Sequence, residues 1–169
     1  EFHFIGTGKT PNDPQGFNIK SLAERYSLWQ SVVFEYPKRI PYLDVLIHLE
    51  AADAVFILGS TEPHYTPSKT YQGVLSKKPI LAVLHSASTA VEVLQKSGAG
   101  IVLPFNGEAE IAQINTSFAG VFAAFNNFKQ TFQSGKVDQK VFEQYSAASV
   151  TKSLAVLLAA VSNSKQIIE

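Results

Sequence analysis

Residues 52–79 hold the densest set of groups able to do chemistry. An apolar stretch, Ala54-Val55-Phe56-Ile57-Leu58, closes on Gly59 and opens into Ser60-Thr61-Glu62-Pro63-His64-Tyr65-Thr66-Pro67-Ser68-Lys69. Pro67 reads as a helix start, because the N–H that proline lacks is unused there. At such a start the free amides, the Ser68 hydroxyl and the Lys69 ammonium converge on one point, which suits a phosphate or diphosphate. Gln72 follows one turn on, on the same face. The same residues also read as an N-capped helix bearing a solvated lysine.

A second set, Gly6-Thr7-Gly8-Lys9-Thr10, looks like the tail of a phosphate-binding P-loop. A P-loop needs glycine where His3 stands, and it must open a helix. The residues that follow, Pro11-Asn12-Asp13-Pro14, form a turn sequence instead. Gly6 and Gly8 therefore read as a tight turn at the carboxyl end of a strand, the edge at which open α/β sheets take ligands. Of the four histidines, His3 falls in a strand and His48 in a helix, where packing or a surface position explains them. His64 and His85 follow strands on the ligand-binding edge. No two have metal-ligand spacing, and no cysteine is present, so no metal is expected.

The elements that must position these groups alternate. Continuous apolar runs at 2–5, 31–36, 54–59, 80–84 and 100–105 predict strands buried on both faces, the habit of parallel sheets. Between them, helices are expected over 19–29, 42–51, 67–76 and 88–96. The first carries Leu22, Ala23, Tyr26 and Trp29 on one face, and the last starts at Ser88 with Glu92 near capping-box distance. A long amphipathic helix is expected over 108–132, ended by Gly135, with its phenylalanines as core or interface, and a second helix over about 138–161. The pattern predicts an α/β fold: a Rossmann-like open parallel sheet flanked by helices, with two long C-terminal helices, in one domain over 1–169.

Composition narrows the classes. The chain has 169 residues, 46% of them apolar and 17% charged, which excludes a disordered tail. Fourteen basic residues balance fourteen acidic ones, so nucleic acid is not expected as a partner. Absence of cysteine rules out disulfides and a thiolate nucleophile, and fits a reducing compartment. No signal peptide is visible, and the apolar run 154–161 falls far short of the ~20 residues of a membrane span. A cytoplasmic location is expected, for a chain that reads as a piece of something longer.

With Ala52-Asp53, Glu62, Pro67-Ser68-Lys69 and Lys78-Pro79 on the page, the chain resembles the C-terminal, nucleotide-sugar-binding domain of GT-B glycosyltransferases, in particular the large retaining family numbered four. Phe4-Ile5-Gly6-Thr7-Gly8, Val32-Val33-Phe34-Glu35-Tyr36-Pro37 and Phe142…Tyr145-Ser146-Ala147 are similar to further elements of that family. The resemblance implies a hexosyltransferase whose donor, a nucleotide diphosphate sugar, binds here without a separate cofactor, while the acceptor binds through an absent N-terminal domain. It places Ser68 and Lys69 at the diphosphate, with Pro67 opening that helix, Gln72 at the ribose, and Glu62, as the catalytic residue, with the loop through Thr66 at the donor sugar. Arg39 and Ile40 would border the base, beside the turn of Gly6 and Gly8. Association of the longer protein with a membrane is left open.

Departures from the family pattern carry their own expectations. Gln72 stands where the family has a second glutamate, and Thr70 stands eight positions after Glu62. The family's domain begins with a further strand and a basic pair that grips the diphosphate. That strand is central, so a gap between 2–5 and 54–59 is expected unless the two pair directly or another chain fills it. Two alternatives follow: an epimerase-like domain of the same fold, or a non-catalytic domain that binds nucleotide or docks a partner through its phenylalanine-lined helix.

Overall fold

The strand β4 (Ile80–His85) is buried along its whole length, as an apolar run with no alternation requires. It pairs in parallel with β3 (Val55–Leu58), Val55 opposite Ile80, and with β5 (Gly100–Phe105), Gly100 opposite Ile80. Ile80, Ala82 and Leu84 point to one face and pack with Val74, Ala90, Val91 and Leu94. These come from α3 (Lys69–Leu75) and α4 (Thr89–Ser97). Val83, Leu103 and Phe105 point to the other face, under Ile114, Phe118 and Val121 of α5 (Ile111–Thr131). The phenylalanine stripe is thus core.

The computed structural model describes residues 1–8 and 16–165, and side chains through residue 162. Lys9, Thr10 and the turn at 11–14 lie outside the described residues. The chain divides into two compact units, Glu1–His48 and Leu49–Glu169. In the first, β1 (Phe2–Ile5) pairs in parallel with β2 (Val33–Tyr36), Phe2 opposite Val33, around α1 (Lys20–Arg25). The boundary falls inside α2 (Tyr42–Ala51). β1 and β3 belong to different sheets. The chain is α/β, with small parallel sheets flanked by helices, consistent with a Rossmann-like fold.

Several expected boundaries move. The helix expected over 19–29 stops at Arg25, because Ser27 and Gln30 take left-handed φ values of 56°. Only Ala23 of its apolar face is buried; Leu22 and Tyr26 are exposed. Trp29 instead meets Phe17 edge-on at 5.8 Å, with the Lys20 ammonium over both rings. The α5 helix ends at Thr131, where Phe132 turns extended, so Gly135 does not end it and sits in a short 3-10 turn. The helix expected over 138–161 is broken into α6 (Lys140–Glu143) and α7 (Ala147–Lys165), since the Ser146 hydroxyl accepts from the Ser149 amide and caps a new start. Glu92 closes no capping box; it pairs with Lys96 one turn on. Ser88 does cap α4, accepting from the Ala90 amide.

Candidate functional site

In the first unit the turn after β1 folds onto the exit of β2. Gly6 has φ +76°, a left-handed value that a side chain would strain, and its amide donates to the Tyr36 carbonyl at 2.8 Å. The Gly8 amide donates to Pro37 at 3.0 Å. Arg39 lies against Gly6: a methyl group added there would meet its Cα and Cγ at 3.8 Å. The structure therefore brings Gly6, Gly8 and Arg39 together, with Ile40 next in the chain, but neither glycine amide is left for a ligand.

The start of α1 is already occupied. Glu35 of β2 is only 6% exposed, and its carboxylate accepts from the Thr7 hydroxyl (2.6 Å) and from the amides of Asn18, Ile19 and Lys20 (2.8–2.9 Å). Burial pushes the carboxyl pKa up, yet the four hydrogen bonds together outweigh it and hold the group below the ordinary glutamate value. A carboxylate at a helix N-terminus is favoured by the free amides and the helix dipole. Sequence reading treated Glu35 as part of a strand pattern. The available signal was an acid inside an apolar strand, which must find donors when buried.

In the second unit the polar loop leaves β3 beside the ends of β4 and β5. Glu62 is exposed; its amide donates to the Ser60 hydroxyl at 3.2 Å, and its carboxylate has no partner among the described residues. Pro67 is buried and fixes the loop, while Ser68 and Lys69 are exposed side by side at the start of α3. Ser68 makes no side-chain cap bond, so its hydroxyl is available. The Thr70 amide already donates to Pro67 at 2.9 Å. Gln72 is half-buried one turn further along. Sequence reading placed these residues together, and the loop does hold them along one short stretch.

Further contacts complete this rim. The Thr66 hydroxyl bonds that of Thr89 at 2.8 Å, tying the loop to the start of α4. The Tyr71 ring meets that of Tyr145 at 5.1 Å. Burial, with Tyr145 beside it, pushes the Tyr71 phenol above its ordinary value, although the Thr89 hydroxyl acts to lower it. Ser86 bonds Asn106, whose amide donates to Glu110 at 2.7 Å. A shallow cleft of about 280 Å³ lies elsewhere, between α4 and α6, beside Glu92, Lys96, Lys140 and Tyr145. Among the described residues no group of three or more His, Asp or Glu could hold a metal, and no helix is long and apolar enough to cross a membrane. Comparison with protein-family models, curated proteins and solved structures found no match.

Proposed function

We propose that the chain is the donor-binding half of a retaining glycosyltransferase of the GT-B type, acting on a nucleotide diphosphate sugar. The observation that carries this reading is the rim loop, in which an exposed hydroxyl and an exposed ammonium, Ser68 and Lys69, stand next to each other with no partner among the described residues. In the reaction the bond from the anomeric carbon to the diphosphate oxygen breaks, and the oxygen leaves with the electron pair. The acceptor hydroxyl oxygen forms the new bond, and its proton passes to the departing phosphate. The demand on the protein is to stabilise that leaving charge with donors fixed in advance. Ser68 and Lys69 supply them, Gln72 bonds the ribose, and Glu62 with the loop through Thr66 faces the sugar.

Isothermal calorimetry of the folded chain with ADP, GDP, UDP and dTDP tests this. One of them is expected to bind, and Lys69→Ala is expected to weaken it about tenfold or more, the usual worth of a charged hydrogen bond. Absence of heat with all four defeats the reading. The alternative of docking through the phenylalanine-lined helix has no such support, since Phe118, Val121 and Phe125 of α5 are turned into the chain's own core.

A further inference from the structure

We draw no further inference here: the strongest candidate, the apolar stripe of Val150, Leu154, Leu157 and Leu158 exposed along α7, is a bare helix face, and nothing in the structure shows what covers it.

Discussion

Glu35 illustrates how one residue can set the pH response of its surroundings. Its carboxyl is held below the ordinary glutamate value in the folded chain, so the folded form prefers it ionised. The resulting stability is fully present above the unfolded-state pKa and is lost as pH falls through the folded one. Unfolding followed at β1 and β2 is expected to show this loss on the acid side. Glu35→Gln should lower stability at neutral pH by about 1–3 kcal/mol and flatten that dependence. An unchanged acid slope in the variant refutes the assignment. At this scale the sequence was a partial guide. It placed Ser68, Lys69 and Gln72 on one local segment, because neighbours in the chain stay neighbours in a loop and a helix turn. It could not pair Glu35 with Thr7 and the start of α1, nor Thr66 with Thr89, because those bonds join residues 15 to 28 positions apart.

Elements are legible when burial on both faces leaves no choice of residue. Ile80–His85 and Gly100–Phe105 read as strands for that reason, and the register between them adds a constraint that the pattern does not contain. A methyl group on Gly100 would lie 2.3 Å from the Ile80 carbonyl oxygen and 2.8 Å from its Cβ. Both belong to the central strand, which has little room to yield. Gly100→Ala is expected to cost about 1–3 kcal/mol by chemical denaturation. A change under half of that would mean that β5 shifts freely against β4. Helix ends were harder to read than strands. Apolar periodicity runs through 138–161 without interruption, yet a single serine cap divides it, and the left-handed Ser27 and Gln30 stop a helix that composition would have continued.

Across the whole molecule, burial is uneven. Among the described residues, Ala23 and Pro37 are the buried apolar side chains of the first unit, whereas the second unit encloses strand and helix residues on both faces of its sheet. Stability within a chain follows such differences. Amides of β1 and β2 are accordingly expected to exchange with deuterium well before those of β4, as mass spectrometry of peptic fragments would show; equal protection would contradict the burial. The apolar residues Leu43 and Ile47 of α2, and Leu154, Leu157 and Val161 of α7, are largely exposed. Apolar periodicity carries no information on what would cover such residues.

The carboxylate of Glu35 has one more consequence. A strand–turn–helix corner can host a visiting anion or be sealed by one grown on the chain itself. The corner at α1 has taken the second course, with three backbone amides and a hydroxyl closed around a resident acid. The corner at α4 is closed more lightly, by the Ser88 hydroxyl accepting from the Ala90 amide.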